Sequence, residues 1–191
     1  IAGIVSEDYA NDRALDDFSL LYTGATALTE DFWKRHSEDL RSWSDHGRSC
    51  YEVQALEDED WYANQFVYLP GEEQVELRVV RVGSDGRVQL RMLDDYRHEG
   101  HSVWGINARN REQNFALNAL MDPEVDFVTL LGTAGTGKTL LALAAGLAQT
   151  LDTQRYREII MTRATVSVGD DIGFLPGTEE EKMTPWMGAL T

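Results

Sequence analysis

Residues 126–151 read DFVTLLGTAGTGKTLLALAAGLAQTL, and this stretch decides the fold. Phe127-Val128-Thr129-Leu130-Leu131 is a short apolar, β-branched run, the pattern of a buried strand. Gly132-Thr133-Ala134-Gly135-Thr136-Gly137-Lys138-Thr139 follows at once and fits G-x-x-x-x-G-K-[ST] at every constrained position. Residues 140–151 are rich in Ala and Leu, strong helix formers. Strand, glycine-rich loop and helix in this order are the context that a phosphate-binding P-loop requires.

The residue types match the chemistry. Gly132, Gly135 and Gly137 carry no Cβ, so the backbone can approach phosphates and take turns closed to other residues. The exposed N–H groups of the loop, with Thr133, Ala134 and Thr136 between the glycines, form an anion nest. The helix N-terminus at Leu140 extends it. Lys138 places an ammonium on the β- and γ-phosphates, and Thr139 offers a hydroxyl to a bridging Mg²⁺. Lys138 and Thr139 are the candidate catalytic residues, Thr139 the candidate metal ligand, and ATP with Mg²⁺ the expected ligand. The competing reading, a glycine-rich turn with an incidental lysine, leaves the flanking strand and helix unexplained.

Working outward, Glu158-Ile159-Ile160-Met161-Thr162 reads as a second buried parallel strand. It completes a βαβ unit of a doubly wound α/β core. Thr162 and Arg163 then fall at the carboxyl end of that strand, where ligands bind in such folds. Arg163 there holds a phosphate or forms an ordinary salt bridge. Residues 166–191 are irregular and read as a functional loop over the strand ends. No apolar strand ending in Asp follows, and Asp170 and Asp171 lie in the loop. A second acidic strand end, which would hold the Mg²⁺ water shell, is therefore not found, and poor hydrolysis by this chain is expected.

Upstream, residues 111–121 read as a helix stopped by Asp122-Pro123. Gln113 stands where several P-loop motor proteins carry a glutamine that reads the adenine edge; a surface glutamine is the alternative. Between residues 18 and 93, short alternating runs point to a small antiparallel β-rich module. They are 18–22, 51–56, 64–69, 75–82 with a phase slip that marks a bulge, and 87–93. Thr29 can cap a helix over 30–40, on which His36 reads as amphipathic surface. Residues 57–60, Glu-Asp-Glu-Asp, read as a solvated loop rather than a cation site. Arg78, Arg81, Arg87 and Arg91 invite an RNA-binding reading, against which an ordinary solvated sheet face is the commoner case. His98-Glu99-Gly100-His101 lacks the spacer of H-E-x-x-H, so no metal is assigned to it.

The chain has 191 residues and a formal net charge of −16, which disfavours nucleic-acid binding by the whole surface. Cys50 is the single cysteine, which fits a reducing cytoplasm and a packing role. No apolar run reaches spanning length. Residues 1–17 are acidic and read as a linker or the tail of a preceding domain, so the chain looks cut from something longer.

From Asn110 onward the chain resembles the PhoH family of cytoplasmic P-loop ATPases. The resemblance rests on Arg111-Glu112-Gln113, the strand 128–131, the P-loop with residues 140–147, and the loop Val168-Gly169-Asp170-Asp171-Ile172-Gly173-Phe174-Leu175-Pro176-Gly177 with Glu181-Lys182-Met183 and Pro185-Trp186-Met187. The last of these is the narrowest motif. Leu21-Tyr22-Thr23-Gly24 and Asn64-Gln65-Phe66-Val67 are similar to the connector of the two-domain branch, in which a PIN-type ribonuclease domain precedes the ATPase.

The resemblance implies a parent protein that couples ATP use to unwinding and cleavage of RNA, with Thr162 and Arg163 contacting single-stranded RNA. It also implies that the PIN domain and the second half of the ATPase core lie outside this chain. The family usually has proline after that arginine, whereas Ala164 follows Arg163 here. The expected organisation is a linker (1–17), a small β-rich connector (18–100), and the first part of an α/β P-loop core with a parallel sheet (101–191). Homo-oligomeric ring assembly is compatible with such motors. Two other readings stand beside this one: a non-catalytic interaction module switched by nucleotide, and a small-molecule kinase on the same core.

Overall fold

Alternation of apolar and polar residues builds a six-stranded sheet. A computed structural model describes residues 24–71 and 75–162. The chain divides into two units, residues 1–157 and 158–191. In the first, β1 (Ala25–Ala27), β2 (Arg41–Asp45), β3 (Arg48–Gln54), β4 (Phe66–Tyr68), β5 (Glu76–Val82) and β6 (Arg87–Met92) lie in the order β1-β4-β5-β6-β3-β2. β1 runs parallel to β4, and every other neighbouring pair is antiparallel. Residues two apart on a strand share a face. Val53, Val67, Leu77, Val79, Val88 and Leu90 therefore line one face, all buried, with Phe32 of α1 (Phe32–Arg35) and Leu69 completing the cluster. Each such side chain contributes about 1.5–3 kcal/mol by leaving water.

The phase slip in 75–82 is a bulge, as its pattern predicts. Val79 pairs with Leu90 and Arg81 with Gln89, so two steps on β5 oppose one on β6. The helix expected over 30–40 is shorter, Phe32–Arg35, without a side-chain cap. Backbone turns close residues 36–40, and the chain re-enters the sheet at Arg41. His36 is not surface: it is 2% exposed, its ring lies 4.6 Å from that of Phe32, and Nε2 sits 3.0 Å from Glu59 Oε1. The acidic run 57–60 is a loop exposed at Glu57, Asp58 and Asp60, with Glu59 partly buried. Glu59 also accepts from the Leu56 N–H and Trp61 Nε1, and Asp58 accepts two hydrogen bonds from Arg35.

The second face of the sheet is polar, and α2 (Arg111–Met121) crosses it. Phe115 stacks on Phe66 with centroids 4.8 Å apart and planes 5° apart. At the end of α2, Asp122 accepts from Arg78 Nη2 at 2.5 Å, a buried pair, and Arg78 Nη1 donates to Asn64 Oδ1 at 3.0 Å. Burial pushes the Arg78 guanidinium below its usual range even against the attraction of Asp122. Three of the four hairpin arginines are engaged internally, since Arg91 also lies near Asp45, Asp122 and Glu124 and Arg87 donates to Glu52, while Arg81 is exposed. They do not form an open basic stripe.

α3 (Lys138–Leu147) packs on α2 through Leu117, Leu141, Ala144 and Ala145. It ends in a turn of π-helix, Ala148–Asp152. There Thr150 and Thr153 hydroxyls donate to Gly146 and Gln149 carbonyls, and Gln149 Nε2 donates to Leu120 O. Side chains bonding back to carbonyls widen a helix in this way.

Two expected strands are not strands here. Residues 127–131 carry no regular structure and lie in no ladder, with Phe127 85% and Leu131 62% exposed. In the second unit, residues 158–162 are exposed and irregular. A parallel strand buries both faces and bonds on both edges. Neither stretch finds such neighbours among the described residues, so the parallel sheet of a P-loop core is not formed there. The run 18–22, the linker 1–17, Arg163, Asp170, Asp171 and the loop from 166 lie outside the described residues. No helix among the described residues is long and apolar enough to cross a membrane.

Candidate nucleotide site

The site begins at the N-terminus of α3. Gly132, Gly135 and Gly137 have φ of 151°, 81° and 87°. These values lie in the region that only glycine enters without strain. Gly137 is the N-cap, and no side chain caps the helix. A Cβ there would also sit tightly against Gln113 Nε2, at 3.2 Å. The first intrahelical bond runs from the Leu141 N–H to Gly137 O. Among the described residues, no acceptor is found for the N–H groups of residues 134–140. Free N–H groups of this kind at a helix N-terminus suit an anion.

Lys138 lies across this loop. Its Nζ donates to Gly132 O at 2.8 Å and Thr133 O at 2.7 Å, with Thr136 Oγ1 at 3.3 Å. The Thr136 hydroxyl donates to Thr133 O at 2.9 Å. The ammonium thus ties the loop into a ring and keeps its charge at the mouth. Thr139 is exposed on the first turn of α3, so its hydroxyl is accessible to a hydrated cation. Loop carbonyls bound to the ammonium and N–H groups left without acceptors form a donor set that fits a polyphosphate with Mg²⁺. Leu140 is 47% exposed beside them.

Gln113 is hydrogen-bonded to the loop. Nε2 donates to Thr136 O at 3.2 Å, and Oε1 accepts from the Arg109 N–H at 2.7 Å. Its own N–H is accepted by Asn110 Oδ1 at 2.9 Å, which caps α2. Thr162 is exposed and belongs to the other unit; Arg163 lies outside the described residues. His98 pairs with Asp95, and the His101 ring lies 4.6 Å from that of Tyr96.

Sequence reasoning missed Arg109, Asn110, Asn114 and Glu76 as supports of this site. Asn110 carried a signal: Asn three residues before Gln is a capping pattern. Glu76 and Asn114 carried none, because their partners are 38 residues apart in the chain.

This geometry agrees with what the chain is similar to. The family model described as PhoH-like protein matches residues 105–191. The match supports a nucleotide-binding P-loop protein and includes Gln113, the whole loop and α3. Protein PhoH2 of Bacillus subtilis (strain 168) is 39% identical over 186 residues, 97% of this chain and 39% of that protein. Protein PhoH2 of Thermobispora bispora is 37% identical over 189 residues, 98% of this chain and 39% of that protein. The PhoH-like protein of Mycobacterium tuberculosis (strain ATCC 25618 / H37Rv) is 47% identical over 112 residues, 59% of this chain and 30% of that protein. The chain therefore spans about two-fifths of the length of the first two PhoH relatives. No solved structure matches the chain.

Proposed function

We propose that the chain binds ATP with Mg²⁺ at the loop 132–140, as part of a PhoH-like ATPase of the PIN–PhoH branch that works on single-stranded RNA. The run of N–H groups without acceptors over residues 134–140, closed by Lys138, carries the ATP part of this reading. Bound there, ATP meets the loop N–H groups through its phosphates. Lys138 neutralises the β- and γ-oxygens, Thr139 holds the cation, and Gln113 reads the adenine edge.

The organisation that goes with this reading has a linker at 1–17, a β-rich connector over 18–100 and the first part of the ATPase core from 101. In a protein of the relatives' length, the apolar stretches 127–131 and 158–162 take places in a parallel sheet completed by further strands. Thr162 and Arg163 contact RNA, and PIN-domain cleavage follows unwinding. The same reading places the protein in the cytoplasm and allows a homo-oligomeric ring.

A nucleotide-switched interaction module is the second reading. It is favoured by the way the sheet grips α2 at both ends, through Glu76 and Arg78, so that nucleotide and sheet share one helix. ATP turnover with and without single-stranded RNA separates the two, measured on this chain and on a protein of the relatives' length. The RNA-motor reading expects turnover in the longer protein to rise on adding RNA, with little turnover in this chain. No RNA effect in the longer protein would overturn it in favour of the module.

A further inference from the structure

We infer that Glu76, on the sheet and outside the phosphate loop, is the positioning residue that holds Gln113 in register with the nucleotide site. The inference rests on the reading of Gln113 as the adenine contact.

Glu76 is 3% exposed and carries three donors. Oε1 accepts from Arg97 Nη1 at 2.8 Å and from Arg111 Nε at 3.1 Å, and Oε2 accepts from Asn114 Nδ2 at 2.9 Å. A carboxylate at this depth persists only when hydrogen bonds replace its water. Two of its three donors sit in the first turn of α2, at 111 and 114, on either side of Gln113. Each is fixed again from a second direction. The Arg111 guanidinium lies 3.9 Å over the Tyr68 ring, and Asn114 Oδ1 accepts from the Tyr96 N–H at 2.9 Å. An α-helix is stiff over one turn, so fixing 111 and 114 fixes the direction in which 113 leaves the axis.

Gln113 leaves toward the loop, where its room is narrow. Its Nε2 reaches Thr136 O and lies 3.2 Å from where a Cβ on Gly137 would stand. A small rotation of α2 on the sheet breaks that contact or the one from Arg109. The connection therefore runs from β5 through Glu76 and the start of α2 to Gln113 and the loop. Selectivity for adenine then depends on a side chain that touches no nucleotide.

The test is Glu76→Gln, which keeps the shape and replaces one acceptor by a donor facing Asn114. Two readouts are taken: the ratio of GTP to ATP dissociation constants, and hydrogen exchange of the Arg109 N–H in nucleotide-free protein. The inference expects the ratio to fall about tenfold, the equivalent of one good hydrogen bond. Arg109 exchange should rise by a similar factor. In a Gln113→Ala background, Glu76→Gln should change the ratio no further, since the two act as one unit. Arg111→Lys, which keeps the charge but loses the Nε donor, gives the same direction where Glu76→Gln folds badly. A lower Tm with unchanged ratio and unchanged Arg109 exchange would overturn the inference and leave Glu76 a structural residue. An unchanged ratio with raised Arg109 exchange would uphold the positioning and sink the adenine role of Gln113 instead.

Discussion

Strand β5 and residues 127–131 both have a strand-like pattern, alternating in one and continuously apolar in the other, yet they behave oppositely. In β5, Leu77 and Val79 are fully buried, and neighbours on both edges take up the backbone. In 127–131 Phe127 stands 85% exposed, and no ladder forms among the described residues. β-propensity measures fit to a half-buried pleated surface, so a strand-like pattern without neighbours yields no strand. The phosphate loop needs no such neighbours. Its shape comes from three glycines, a lysine bonded to its own loop, and a helix seated on α2. The glycine-rich loop thus keeps its shape where the strand expected before it does not form.

The contrast can be broken from the sheet side. Asp122→Ala strands the buried Arg78 charge and cuts the end of α2 from β5. It should cost about 3–5 kcal/mol, the range for unpairing a buried ion pair. A urea unfolding midpoint that hardly moves would show that α2 is not strapped to the sheet as described.

Acid gives a smaller effect, from carboxylates that touch solvent. Hydrogen bonds from Gln89 and then Arg87 hold Glu52 below the usual carboxylate range. Burial pushes Asp95 up, and the side-chain and backbone hydrogen bonds from Arg97 together outweigh it. A carboxyl lowered in the folded state adds stability that is present above its unfolded value, near 4. That stability is lost as pH falls through the folded value. The unfolding midpoint should therefore hold from neutral pH down to about 5 and fall below about 4; a midpoint that rises on acidification would contradict the assignment.

The smallest effect lies on the other side of the contrast. Phe127→Ser removes an exposed ring and should change stability by no more than about 0.5 kcal/mol, as surface substitutions do. A loss of several kcal/mol in this chain would mean that the stretch is packed after all.

What was legible in the sequence follows the same division. The bulge at Val79 and the bounds of α2 were readable, because alternation and Asp-Pro act over a few residues. The phosphate loop was readable for the same reason. β2 was not, since Arg41-Ser42-Trp43-Ser44-Asp45 is an exposed edge strand without apolar alternation. The burial of His36 was hidden because its partner, Glu59, lies 23 residues away in a run that reads as solvated loop. Residues 127–131 and 158–162 failed in the opposite sense: their pattern is strand-like, but pairing is a property of neighbours.

The central claim is that the loop 132–140 holds a nucleotide although the strand before it lies unpaired. It is tested most directly by titrating Mg²⁺-ATP into this chain and into Lys138→Ala, and reading the heat of binding. Saturable binding by the chain is expected, weakened at least about tenfold in the variant, in line with about 1.5–3 kcal/mol for a charge-assisted hydrogen bond. Equal affinity in both proteins, or no binding by a folded wild-type chain, would contradict it.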